Sequence, residues 1–165
     1  MRWVLLLGLL VGCRFGFDPP PTQTDALTGD ARVPSRDAGT CSDTACVAAG
    51  GDCVDNVCTI ISSSEDPVVC PVGMPCRLIC SGYRTCRDGA SCGGATWCDV
   101  ACLGYRTCQY GVDCAGAECF VTCNGEEACE DGIRVGAGGT CTSHCCGTEA
   151  CLAGTASCAN DNTCS

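Results

Sequence analysis

A cysteine ruler limits what this chain can fold into more than any other feature. Cys76, Cys98, Cys119, Cys141 and Cys164 follow one another at intervals of 22, 21, 22 and 23 residues, and the first four are each answered by Cys80, Cys102, Cys123 and Cys145. A third column stands at Cys86, Cys108, Cys129 and Cys151, and a fourth reads Cys92, Cys114, Val135 and Cys158. Glycines keep the same period: Gly82, Gly104, Gly125 and Gly147 precede the third column, while Gly89, Gly111, Gly132 and Gly154 follow it. This is a four-unit array, and units of such length bury their apolar face only by stacking or by cross-linking.

Composition says which of these supplies the stability. The 165 residues include 23 cysteines, and only 5% are aromatic. A core of ordinary size is out of reach, so disulfides must replace it in an exported chain. The nine basic residues are all arginine against nineteen acids, a net charge of −10 that argues against nucleic acid or an anionic membrane surface as partner.

Alternation inside the repeat points to strands. Cys76, Leu78 and Cys80 share one face of an extended segment, as do Cys98, Val100, Cys102 and Cys119, Val121, Cys123. Ala90 and Cys92, Val112 and Cys114, and Ile133 and Val135 form a second alternating pair. Two short strands turned at Gly82 and Gly89, with a third stretch around residues 95–97, make a coil of about 22 residues, typical of a β-helix rung. The fold expected is all-β, small and disulfide-rich: a short β-solenoid of about four coils. The alternative is a string of independent disulfide knots with every bridge inside its own unit.

Geometry restricts the bridges. Residues four apart on a strand lie roughly 13 Å from each other, beyond the window of about 4.4–6.8 Å between disulfide Cα atoms. Cys76 to Cys80 is therefore excluded on a strand. Stacked equivalents about 4.8 Å apart fall inside the window, so Cys76 to Cys98 or Cys102 to Cys123 are feasible, as are bridges across the interior of one coil. Val135, standing in a cysteine column and flanked by Ile133, marks that column as facing an apolar interior; a metal-ligand column would keep a donor there. Cys146 is outside the columns and is expected to pair with the odd member of the five-strong first column.

The ends differ from the array. Arg2 and the apolar residues 3–11 read as an export signal too short to span a bilayer. Leu10-Val11-Gly12-Cys13 resembles the bacterial lipobox, which implies a signal over residues 1–12, lipidation of Cys13 and a diacylated mature N-terminus. Arg14 in place of aspartate favours the outer membrane or cell surface over the inner membrane. Removing Cys13 from the count leaves 22 cysteines, an even number. Residues 14–40 are rich in Pro, Asp, Thr, Gly and Ala and read as a disordered tether.

Residues 41–59 carry Cys41, Cys46, Cys53 and Cys58 around Gly50-Gly51, read as a hairpin module with two bridges. Residues 60–69 read as a linker. Cys70 then looks like the end of an incomplete leading coil and Cys164 like the start of an incomplete trailing one, so that residues 70–165 form the array.

Chemistry-bearing residues are few. His144 is the only histidine, and its neighbour Cys145 belongs to a structural column, so no catalytic triad is built there. Metallothionein-like CysXCys pairs and the Gly-Gly-X-Gly-X-Asp calcium repeat are absent, so neither metal nor cofactor is expected. Gly82-Tyr83-Arg84-Thr85 recurs as Gly104-Tyr105-Arg106-Thr107, while later units carry Glu126-Glu127 and Thr148-Glu149. Stacking would gather Tyr83, Arg84, Tyr105, Arg106 and Tyr110 into a candidate contact patch for protein or glycan, with Glu130 and Asp131 at the acidic end.

Taken together, the lipobox, the four-cysteine unit and the CysX3CysX5Cys repeats resemble cysteine-rich repeat lipoproteins of some large-genome bacteria. That resemblance implies a lipid-anchored, disulfide-stapled envelope protein with a structural or adhesive role and no enzymatic activity. An inhibitor of a secreted protease, or a glycan-binding module, is the alternative.

Overall fold

The computed structural model describes residues 39–116, 118–154 and 158–160. Cys13, the tether before Gly39 and Cys164 lie outside the described residues. One short helix, α1 (Asp43–Ala48), precedes a hairpin of β1 (Asp52–Val54) and β2 (Val57–Ser62). From there long and short strands alternate: β3 (Val68–Val69), β4 (Pro75–Ser81), β5 (Ala90–Ser91), β6 (Trp97–Leu103), β7 (Val112–Asp113), β8 (Glu118–Asn124), β9 (Ile133–Arg134), β10 (Thr140–Cys145) and β11 (Ala159–Asn160). No helix among the described residues is long and apolar enough to cross a membrane.

The strands stack as a β-solenoid. Long strands form a sheet ordered β1-β2-β4-β6-β8-β10-β11, parallel from β2 onward, and short strands form a second parallel sheet ordered β3-β5-β7-β9. Each coil is one long strand, a corner, one short strand and a second corner. The cysteine columns set the register, with Cys58, Cys76, Cys98, Cys119 and Cys141 in one line and Cys80, Cys102, Cys123 and Cys145 in another.

The interior is narrow and filled by aliphatic side chains. Ile60, Leu78, Val100 and Val121 point inward from the long sheet toward Val68, Ala90, Val112 and Ile133 of the short one, all buried.

The disulfides close corners. Cys80–Cys86, Cys102–Cys108, Cys123–Cys129 and Cys145–Cys151 span the first corner of successive coils, with Cα atoms 5.9 to 6.2 Å apart. Cys70–Cys76, Cys92–Cys98 and Cys114–Cys119 span the second corner, joining the fourth column of one repeat to the first of the next, at 5.9 to 6.0 Å. The stacked bridges Cys76 to Cys98 and Cys102 to Cys123 do not form. A local bridge is available because Cys86 and its equivalents take a left-handed backbone (φ 49° at Cys86) that turns each thiol back toward the strand just left.

Among the bridges between described residues, one joins coils. Val135 removes the second-corner staple of its coil, and the orphaned Cys141 bonds instead to Cys158 on the adjoining rung, Cα atoms 4.5 Å apart. Cys146 is also disulfide-bonded.

The leading region departs from the sequence reading. Cys41–Cys53 and Cys46–Cys58 are the two bridges of the four-cysteine unit. Its hairpin, however, turns at Asp55 and Asn56, both left-handed (φ 50° and 66°), as a two-residue turn between right-twisting strands requires. Gly50-Gly51 instead ends the helix: Gly50 has φ 84°, and a Cβ on Gly51 would stand 2.7 Å from Ile60 Cγ1. Val47 lies on α1. The expected linker begins inside β2, whose Ile60 pairs with Leu78, and β3 completes that coil. The leading coil is therefore complete in strands and incomplete only in sulfur. Likewise the third stretch around residues 95–97 is the second corner running into β6.

Candidate functional site

The first corner of each coil is the richest surface in the molecule, and its shape follows from stacked glycines. A Cβ placed on Gly104 would collide with the Gly82 carbonyl, and one on Gly125 or Gly147 with the carbonyl of the glycine one coil before. With no side chain to hold them apart, the corners stack as closely as the strands. Backbone hydrogen bonds continue through them: Arg84 N–H donates to Tyr105 O at 2.9 Å, Arg106 N–H to Glu126 O at 3.0 Å, and Glu127 N–H to Thr148 O at 2.9 Å. Corner residues therefore stand in columns as regular as those of a sheet.

Two columns carry the candidate patch. Tyr83 and Tyr105 stack with ring centroids 5.4 Å apart and planes 14° from parallel. Arg84 and Arg106 lie in the next column, each 5.3 and 5.0 Å from the tyrosine ring of its own coil. The structure brings these four side chains together. Tyr83 is well exposed and Tyr105 half-buried. Because the rings face each other, their edges and the outer face of Tyr83 are what a partner can touch.

Tyr110 belongs to a different grouping. Its ring lies 5.5 Å from Arg87, whose Nη2 donates to the Tyr110 hydroxyl at 3.2 Å. It borders a shallow recess of about 150 Å3 that crosses the short sheet, where Ser91, Asp113 and Arg134 stand in register.

Sequence reasoning missed the carboxylate that organises the patch. Arg106 forks onto Glu127 of the following coil, Nε and Nη2 reaching its oxygens at 2.5 and 3.1 Å, and the Tyr105 hydroxyl donates to the same residue at 3.4 Å. Those hydrogen bonds from Arg106 hold the Glu127 carboxyl below its ordinary range and raise the Arg106 guanidinium further. The Tyr105 phenol is raised, chiefly by desolvation among its neighbours. The signal was present, since Arg106 and Glu127 are column equivalents 21 residues apart; what it lacked was the side-chain direction. Similarly Arg87, Gln109 and Glu130 form a hydrogen-bonded column, with Arg87 also 3.5 Å from Glu65.

Arg84 contrasts with Arg106. Its column neighbour in the next coil is Arg106 itself, so no carboxylate meets it: among the described residues Arg84 forms no ion pair, and its buried Nε has no acceptor.

Cysteine sulfurs crowd within metal-ligand distance in several places, such as Cys92, Cys114 and Cys119. Each such group is two neighbouring disulfides in the stack, so its sulfurs are already covalently paired and are not thiolates. His144 Nε2 lies 3.0 Å from Cys146 Sγ, itself a disulfide sulfur.

No protein-family model, curated protein or solved structure matches this chain. The disulfide-rich repeat scaffold itself suits a structural or binding role.

Proposed function

We propose that this chain is a lipid-anchored scaffold of the bacterial cell envelope, held through Cys13 at the outer membrane or cell surface, with an adhesive or structural role and no enzymatic activity. The observation that carries the binding part is the Tyr83–Tyr105 stack with its attendant arginines, in which Tyr83 is the most exposed aromatic side chain among the described residues. Rigid aromatic and arginine side chains are the usual anchors of recognition surfaces. Protein or glycan is the partner class these residues suit, and the net charge of −10 disfavours nucleic acid.

The protease-inhibitor alternative has less support. Arg84 and Arg106 are held at φ 56°, whereas a protease takes its substrate in extended form, and the stacked corners leave no room to unfold them. Metal sequestration is also less favoured, because the crowded sulfurs are oxidised.

The test replaces Tyr83 and Tyr105 together by alanine in the full chain. Loss of binding to cell surfaces or to a glycan array, with the disulfide map unchanged, supports the contact patch; undiminished binding removes it. The mass of the N-terminal peptide from native membranes tests the anchor, and an unlipidated Cys13 would sink that part.

A further inference from the structure

The corner columns carry a sign pattern that goes beyond a generic contact patch. Arg84, Arg106, Glu127 and Glu149 occupy equivalent positions in four successive coils, with the same left-handed backbone (φ 56°, 56°, 56° and 59°). Rungs about 4.8 Å apart make this a row of roughly 14 Å reading plus, plus, minus, minus. The inner two charges neutralise each other within the chain. The outer two are left over: Arg84 faces a like charge in the next coil, and Glu149, exposed, follows a Glu127 already committed to Arg106. Among the described residues neither outer charge has an ion pair.

Such a row is antisymmetric about its midpoint, and therefore self-complementary under a two-fold rotation. We propose that this ridge docks a second copy of the chain, antiparallel, about an axis crossing between Arg106 and Glu127. The rotation sets Arg84 against the partner's Glu149, Arg106 against the partner's Glu127, and both relations occur twice. The flanking column sets Tyr105 opposite the partner's Glu126 and Tyr83 opposite the partner's Thr148, so no like charges meet there either. Parallel alignment would set like charge against like, so the charges select one orientation. The contact is isologous, hence closed, and gives dimers rather than fibres. It rests on reading the ridge as a binding surface and names the partner. A narrow ridge buries little area, so the pairing is weak and salt-sensitive, and it gains from the high local concentration of copies anchored to one surface.

Sedimentation velocity on the purified chain, with its disulfide map verified, provides the test. Wild type should dimerise with rising concentration at low ionic strength and dissociate at high. Arg84→Glu and Glu149→Arg should each weaken the dimer by about tenfold or more, since each sets two like-charged contacts in place of two favourable ones. Mixing the two variants should restore a heterodimer, because their rows complement each other, and the double variant Arg84→Glu/Glu149→Arg should dimerise like wild type. A wild type monomeric at all concentrations in low salt overturns the proposal, as does failure of the mixture and of the double variant to recover. If that failure accompanies loss of surface binding in the Tyr83→Ala/Tyr105→Ala variant, the contact patch stands and its partner is not a second copy.

Discussion

The middle coils and the last coil solve the same problem with different covalent wiring. Around β4 to β8 every corner is stapled over five or six residues of chain, and no disulfide joins one coil to the next. Neighbouring coils are held there by backbone ladders, stacked glycines and buried aliphatic columns. At the end of the array Val135 withdraws one corner thiol, and Cys141 crosses to Cys158 on the following rung. What differs is the neighbour each rung has. A middle rung is held on both sides by strands of six or seven residues, whereas among the described residues β10 meets only the two-residue β11 on its far side. Among the described residues, a covalent tie between rungs sits where the ladder of the long sheet is shortest.

Removing bridges from each region should give unequal losses of stability. The Cys141–Cys158 bridge closes the longer loop, worth about 3 kcal/mol by the chain-entropy estimate, against about 2 kcal/mol for a six-residue corner loop. Replacing Cys141 and Cys158 by serine should therefore cost more than replacing Cys92 and Cys98. Hydrogen exchange should localise the first loss to β10 and β11. Restoring the column with Val135→Cys should redirect Cys141 to position 135, which a non-reducing peptide map reads directly; persistence of Cys141–Cys158 would show that the rung contact, not thiol supply, chooses the partner.

A smaller effect tests whether glycine contact sets the coil spacing in the regular region. Gly125→Ala drives a Cβ into the Gly104 carbonyl and should destabilise by about 2 kcal/mol. Gly116→Ala meets nothing within 4 Å and should cost about 1 kcal/mol, from its left-handed backbone alone (φ 78°). Denaturant midpoints of the two variants decide, and equal losses would mean that the stacked corner relaxes freely.

The smallest effect is electrostatic. Because hydrogen bonds from Arg106 hold the folded Glu127 carboxyl below its ordinary value, its contribution is present above the ordinary carboxylate range and is lost as pH falls through that lowered value. Glu127→Gln should flatten the acid limb of a melting-temperature profile slightly and leave neutral stability nearly unchanged, as expected of a solvent-screened pair. An unaltered acid limb would show that the pair contributes nothing to folding.

Much of the solenoid was legible because sulfur and glycine columns record the coil period, and Cys-aliphatic-Cys alternation records the inward face. The leading coil was hidden because β2 keeps only Cys58 of its cysteine column, and its strand character rests on Val57, Thr59 and Ile60-Ile61, which also suit a linker. The candidate patch was half legible: equal column positions put Tyr83 over Tyr105, but Tyr110 reads as a neighbour in sequence and turns away to Arg87. The hairpin was misplaced because glycine pairs are commoner turn signals than Asp-Asn, and here the glycines serve helix termination and close packing.

That sulfur holds this chain, that its unit is about 22 residues long, and which residues face inward could all be read from the residues, because composition and period are properties of the sequence. Which thiol meets which, and which charge finds a partner, is settled by how the coils pack. Those choices depend on distances of a few ångströms between coils, on left-handed corners that turn Cys86 and its equivalents back toward the strand, and on the direction in which Arg106 reaches Glu127. Spacing along a chain fixes none of these.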